Sequence, residues 1–337
     1  MTGHRIAIVG AGRIGRLHAE NMRSRVPRLR AVAVADPARD AAAALAADLG
    51  CDAVVDWREL AGRPDVDAVV ICSPTSLHAE QVVAFAEAGK HVFCEKPLAA
   101  DVAGADAALA AAEAAGIVLQ VGYNRRFDRS FAAVREAVAA GRVGRPLIVR
   151  ITSRDPAPPP RSYLEQATPG ILFLDTTSHD LDLLRYVTGA EIVAISAHSA
   201  SLVSQDALEL GLADTAVTTV TLDTGCFGVV DNCWVSAYGY DQRLEVHGTA
   251  GMAEARNELR DTTDFADAAG FHAPPLPHFF LDRYGPAYVR ELEAFADALD
   301  GGPVPVTGRD GRAAVAAAAA AARSAAEARI VRLDELG

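Results

Sequence analysis

A chain of 337 residues is too long for one small module and too short for three; at roughly 100–200 residues per domain it holds two, each able to bury its own core. Half the residues are apolar and 23% are charged, which excludes a disordered chain. The formal net charge of −12, with no basic stripe interleaved with aromatics, argues against nucleic acid as a partner.

In chain order, Met1–Val9 leads into an apolar stretch ending at Gly10, too short for a membrane span and without a signal-cleavage pattern. Strands are predicted at Arg5–Val9, Arg30–Ala35, Ala53–Val55, Asp67–Cys72, His91–Cys94 and Ile117–Val121, with helices over Ile14–Arg25, Pro37–Leu49, Ser76–Ala88 and Val102–Ala115. Near-continuously apolar strands separated by helices are buried on both faces, so a doubly wound parallel sheet of the Rossmann type is expected. After Pro146–Arg154, another strand, comes the stiff loop Asp155–Pro160 and a helix over Asp175–Val187. Long β-rich runs follow at Glu191–Val203, Thr215–Leu222, Cys226–Val235 and Gln242–His247; in the last, Leu244 and Val246 alternate with polar residues, as in a sheet wet on one side. Helices return over Arg283–Leu299 and Arg309–Ala328; the Ala-rich segment is broken by Arg323, Glu327 and Arg329 and is not a span. The fold class is therefore α/β: a dinucleotide-type domain over residues 1–122, then an α+β domain over 123–337 for substrate binding and oligomerisation, with a large, mostly antiparallel open sheet; the alternative is that the last helices pack back on the first domain. One face of that sheet, rich in Val and Thr, suits subunit packing. Five scattered cysteines without a CxxC pair argue against a disulfide framework or a zinc knuckle and fit a reducing cytoplasm.

The segment Ile6-Ala7-Ile8-Val9-Gly10-Ala11-Gly12-Arg13-Ile14-Gly15 is a strand running through GxGxxG into a helix. Gly10 permits the tight turn, Gly12 lets a pyrophosphate approach the backbone, and Gly15 lets helix and strand pack closely. The pyrophosphate then meets the helix N-terminus, with Arg13 and Ile14 in its first turn. Asp36 stands 21 residues after Gly15, at the end of the second strand, where a carboxylate accepts hydrogen bonds from ribose hydroxyls. A bound NAD is the expectation. Ser73 and Thr75, small residues suited to passage of the cofactor, follow the fourth strand at the same edge, with His78 in the first turn of the next helix as a further neighbour of the cofactor.

Glu95-Lys96-Pro97 places a lysine at the carboxyl end of a buried strand, where doubly wound folds put their ligands. Asp175 and His179 are i and i+4, so a helix turns both the same way, with Asp182 close behind. Three readings stand here: a general base that takes a hydroxyl proton, a helix cap with a surface histidine, or a carboxylate–imidazole face for a divalent ion. The first needs no metal, and none is expected.

In this order and at these distances, GAGRIG with Asp36, the Glu95-Lys96-Pro97 triplet and Asp175-xxx-His179 resemble the Gfo/Idh/MocA oxidoreductases. The finer likeness is to the bacterial inositol 2-dehydrogenases, and lies in Gln120–Asp128, Ser153–Pro160 and Tyr238–Asp241. The resemblance implies a Rossmann domain, a C-terminal open sheet and a homotetramer built through those sheets. It implies that Lys96 hydrogen-bonds the reacting oxygen and neighbours the cofactor together with Glu95. It makes His179 the base and gives Asp175 the orienting of substrate and base. Arg125 and Tyr240, with Asn124 and Asp155, line a polyol pocket. The implied activity is NAD-dependent oxidation of a secondary hydroxyl of myo-inositol; another cyclitol, an aldose or an anhydrosugar is the alternative substrate, and a non-catalytic dinucleotide-binding regulator is the distant alternative. Two departures from the family pattern are expected beside the pocket: Pro169 in place of a second glycine, and Thr177-Ser178 in place of an apolar pair.

Overall fold

The computed structural model describes residues 3–336. They form two compact units, one running to Phe127 and including Pro286–Val315, the other made of Asp128–Gly285 with the segment after Ala316.

The first unit alternates β1 (His4–Val9), α1 (Arg13–Ser24), β2 (Leu29–Ala35), α2 (Arg39–Leu49), β3 (Asp52–Val54), α3 (Arg58–Ala61), β4 (Ala68–Ile71), α4 (Thr75–Glu87), β5 (His91–Glu95), α5 (Val102–Ala115) and β6 (Leu119–Gly122). All its strands are parallel, in the order β3-β2-β1-β4-β5-β6. The order reverses beside β1, and ligands of such sheets bind outside the carboxyl ends of the strands at that reversal. Strand residues such as Ile6, Ile8, Val34, Val70 and Phe93 are wholly buried, which is why these runs are apolar without alternation. The alanine content serves packing: Ala105, Ala108 and Ala112 form the buried stripe of α5, whose small side chains suit its close approach to α4.

The second unit holds α6 (Arg129–Ala139), β7 (Pro146–Arg154), α7 (Arg161–Leu164), a π-helical turn (Leu172–Thr177), α8 (Ser178–Thr188), β8 (Ile192–Ala200), α9 (Gln205–Glu209), β9 (Thr215–Leu222), β10 (Phe227–Cys233), β11 (Asp241–Gly248), β12 (Met252–Ala255), and the hairpin β13 (Phe265–Asp267) with β14 (Gly270–His272). Two long helices, α10 (Phe280–Leu299) and α11 (Gly308–Glu327), and the short β15 (Val331–Arg332) complete the chain. Seven strands make one sheet in the order β12-β11-β7-β10-β9-β8-β15, antiparallel throughout except for β7 with β10. Burial alternates along β9, β10 and β11, so one face is packed and one is open. On the packed face α8 lies close to β10: a Cβ on Gly228 would sit 2.1 Å from Leu184 Cδ1.

Most strand and helix bounds fall within one or two residues of the expectation, but three features differ. The helix expected from Asp175 begins as a wider π-helical turn and becomes α-helical only at Ser178. Helix α6 was not anticipated, although Asp128 caps it by accepting from Ser130 N and Phe131 N. The β12 and β15 strands, the β13–β14 hairpin and the short α7 and α9 are likewise additional. Among the described residues no helix is long and apolar enough to cross a membrane, and all five cysteines are unpaired.

Candidate active site

In the first unit the expected residues converge on one edge of the parallel sheet, because each follows the carboxyl end of a strand. Gly10–Gly15 follow β1, Asp36 follows β2, Ser73 and Thr75 follow β4, Glu95 and Lys96 end β5, and Asn124 and Arg125 follow β6. Gly10 has φ +103°, and a Cβ there would meet Cys72 O at 2.6 Å; one on Gly15 would meet Gly10 O at 1.9 Å. Gly12 is different: nothing lies within 4 Å of its missing Cβ, so open space faces the backbone. Among the described residues no side chain caps α1, and its first turn holds no acid. Its N–H groups and the positive end of its dipole are left for an anion. The Asp36 carboxylate is held beside this loop, Oδ2 accepting from Ala11 N at 2.7 Å and Oδ1 from Ala38 N at 2.8 Å. Loop, helix end and carboxylate fit a dinucleotide with unphosphorylated ribose hydroxyls.

Two residues expected at the cofactor are occupied otherwise. His78 is buried, with its ring nitrogens 2.7 Å from Pro97 O and 2.9 Å from Ser73 O, and so ties the loop after β4 to the one after β5. Burial pushes its imidazole below the usual value, against those carbonyls. Glu95 turns inward: Oε1 lies 2.7 Å from His18 Nε2, while Oε2 accepts the Lys96 backbone N–H at 3.2 Å. Lys96 itself is half-buried at the strand end, and its peptide to Pro97 is cis. Asn124 and Arg125 are both buried in a single 3-10 turn.

The second unit brings its own set together at one end of the seven-stranded sheet. Asp155 follows β7, and its N–H donates to Cys233 O at 2.9 Å. Tyr240 immediately precedes β11 and is buried edge-on against Tyr284, ring centroids 6.0 Å apart. Tyr238 donates to Asp241 at 2.7 Å. Despite its burial, bonds from Arg243, Asn257 and Tyr238 hold the Asp241 carboxyl below the usual range. Asp175 and His179, both half-buried, sit in the π-helical turn and the first turn of α8.

That helical junction is fastened from beneath by a network absent from the sequence reading. Thr177 Oγ1 donates to Asn232 Oδ1 at 2.7 Å, and Asn232 Nδ2 donates to Asp180 Oδ2 at 2.7 Å. Ser153 Oγ lies 2.9 Å from Asp180 Oδ1, and Trp234 Nε1 donates to Thr176 Oγ1 at 3.0 Å. The two hydroxyls expected beside the pocket are therefore interior groups: Thr177 bonds to Asn232, and Ser178 Oγ donates to Leu174 O at 2.6 Å. Tyr163 was also missed. Its phenol hydrogen-bonds to Asp175, and partial burial followed by that carboxylate pushes its pKa up. Among the described residues, His18, Glu95 and Glu291 bring three imidazole or carboxylate donors within 4.8 Å of one another.

Two family models match the chain: an oxidoreductase family with an NAD-binding Rossmann fold over residues 4–123, and the GFO/IDH/MocA C-terminal domain over residues 131–254. The chain belongs to the Gfo/Idh/MocA oxidoreductase family. It is 41% identical to the myo-inositol 2-dehydrogenase of Thermotoga maritima, across 98% of this chain and 99% of that protein. It is also 41% identical to the inositol 2-dehydrogenase of Rhizobium meliloti (strain 1021), with the same coverage, 98% and 99%. A solved structure of myo-inositol dehydrogenase from Lactobacillus casei, in complex with NAD(H) and myo-inositol, superposes with a TM-score of 0.88 at 27% identity, covering 98% of this chain and 97% of that one. This family member thus carries an NAD-binding Rossmann domain.

Proposed function

We infer that this oxidoreductase oxidises one secondary hydroxyl of myo-inositol to the ketone, with NAD as acceptor. The observation that carries the reading is likeness to inositol 2-dehydrogenases at 41% identity over nearly the whole chain, joined to a glycine loop and an Asp36 placed for NAD. When bound, NAD supplies the carbon that accepts the hydride. The chain's residues do the rest. Lys96, at the end of β5, hydrogen-bonds the reacting oxygen and stabilises the negative charge that develops there. His179 takes the hydroxyl proton as general base, and Asp175, bonded by Tyr163, orients substrate and base. Arg125 and Tyr240 contact the polyol, with Asn124 and Asp155 as further hydrogen-bonding partners.

Thr177 and Ser178, the departures from the family pattern, spend their hydroxyls on Asn232 and on the Leu174 carbonyl. Their polarity therefore gives no reason to prefer a different polyol. The open face of the second unit's sheet exposes Val217 and Phe227, and supports the reading of a homotetramer assembled through these sheets. Five unpaired cysteines support a cytoplasmic location, and the chemistry suits the first oxidation of inositol catabolism.

Initial rates at 340 nm with NAD and a panel of cyclitols, aldoses and anhydrosugars test the assignment. Myo-inositol is expected to give the highest kcat/KM. A higher value for an aldose or an anhydrosugar overturns the substrate, and no NADH formation with any member overturns the activity.

A further inference from the structure

Beneath the end of β5 lies a cluster that the proposed chemistry does not use. His18 from α1 and Glu291 from α10 are fully buried, and Glu95 nearly so. His18 Nε2 is 2.7 Å from Glu95 Oε1 and 4.0 Å from Glu291 Oε1. Glu95 Oε2 accepts the Lys96 N–H, and Gly122 leaves room for the carboxyl: a Cβ there would sit 3.1 Å from it. The His18 ring is wedged edge-on between Phe93 and Tyr288, at centroid distances of 5.2 and 5.8 Å. Neither carboxyl oxygen of Glu291 has a hydrogen-bond partner.

Glu291 occupies a position that packing alone would give to an apolar residue, since Leu292, Phe295 and Ala296 around it belong to the core. A buried carboxylate with no partner is costly, so such a group keeps its proton. The titratable groups facing it are His18 on α1, Glu95 on β5 and Cys72 after β4. Burial first, then the Glu95 charge, pushes the Glu291 carboxyl far above its ordinary value. A metal ion is a poorer explanation: two donors sharing a tetrahedral ion at 2.0–2.1 Å lie about 3.3 Å apart, whereas His18 and Glu95 are at hydrogen-bond distance.

We propose that Glu291 is a positioning residue for Lys96: as an uncharged acid it packs His18 and the Glu95 carboxylate into the geometry that anchors the Lys96 amide at the end of β5. One negative charge, on Glu95, then remains beneath the lysine, and a second in the same dry space would drive the cluster apart. The proposal rests on the reading of Lys96 as the group that holds the reacting oxygen.

A double-mutant cycle separates the two ideas. Glu291→Ala, which empties the space that holds His18 and Glu95 in place, should lower kcat about tenfold or more, leave NADH affinity within about threefold, and cost nothing further in a Lys96→Ala background. Glu291→Gln, an isostere of the neutral acid, should restore kcat to within about threefold of wild type. Lys96→Ala at wild-type kcat would remove the lysine from the reaction and the proposal with it. An impaired Lys96→Ala with fully additive losses would overturn the positioning role alone. A second readout needs only a folded Gln variant. Native Glu291 holds a proton that the unfolded chain releases above the ordinary carboxyl range, so wild-type stability falls as pH rises and the Gln variant escapes that loss. The Tm of Glu291→Gln minus that of wild type should therefore grow by about 3 °C or more between pH 5 and pH 8.5. A flat difference means an ionised Glu291 and overturns the proposal, as does activity lost to a chelator and restored by zinc.

Discussion

At the scale of single residues, chemistry and scaffolding divide in a way that composition cannot announce. Glycines show the division most clearly. Gly15 is excluded from bearing a side chain by Gly10 O at 1.9 Å, whereas Gly12 faces open space. Gly15→Ala should cost several-fold in NADH affinity and also lower Tm, since backbone must move to admit the methyl group; an alanine variant that binds NADH and melts like wild type would contradict this packing. Asp36 presents its carboxylate beside the loop and should repel a 2′-phosphate. A tenfold preference for NAD over NADP needs only about 1.4 kcal/mol, modest for like charges; kcat/KM with both cofactors measures it, and equal values would sink the claim. Lys96, His179 and Asp36 were legible because strand ends and helix spacing place them. His18 and Glu291 were not, because each looks like one more helical residue until tertiary packing shows its partner. A lone glutamate inside an apolar stripe was the available signal for Glu291.

At the scale of elements, the parallel sheet could be read almost to the residue, since strands buried on both faces stay apolar and their helices are long. Helix α6 was missed because its buried stripe is only Phe131 and Val134, although the Asp128 cap marked its start. The π-helical turn was beyond reach of pattern reading, as one extra residue per turn leaves the 3.6 period locally ambiguous. Its support comes from elsewhere in the chain, through Asn232 on β10 and Trp234 just after it. Asn232→Leu removes one partner each from Thr177 and Asp180 in the interior. It should destabilise the protein by about 1–3 kcal/mol and lower kcat by shifting the base. Denaturant melts with parallel kinetics check both effects, and an unchanged midpoint would show that the network carries no load.

At the scale of the whole molecule, Val217 and Phe227 are exposed on the open face of the sheet, where the proposed subunit packing would cover them. Val217→Lys with Phe227→Lys should shift the light-scattering mass downward from that of a tetramer; a wild-type mass at the monomer value would contradict the assembly. The central claim is the proton transfer within NAD-dependent oxidation, and His179→Ala tests it most directly. Steady-state turnover with myo-inositol should fall about 10²–10⁴-fold, while fluorescence titration gives an NADH affinity close to wild type. A variant that turns over myo-inositol at a near-normal rate would remove His179 from the reaction and contradict the account.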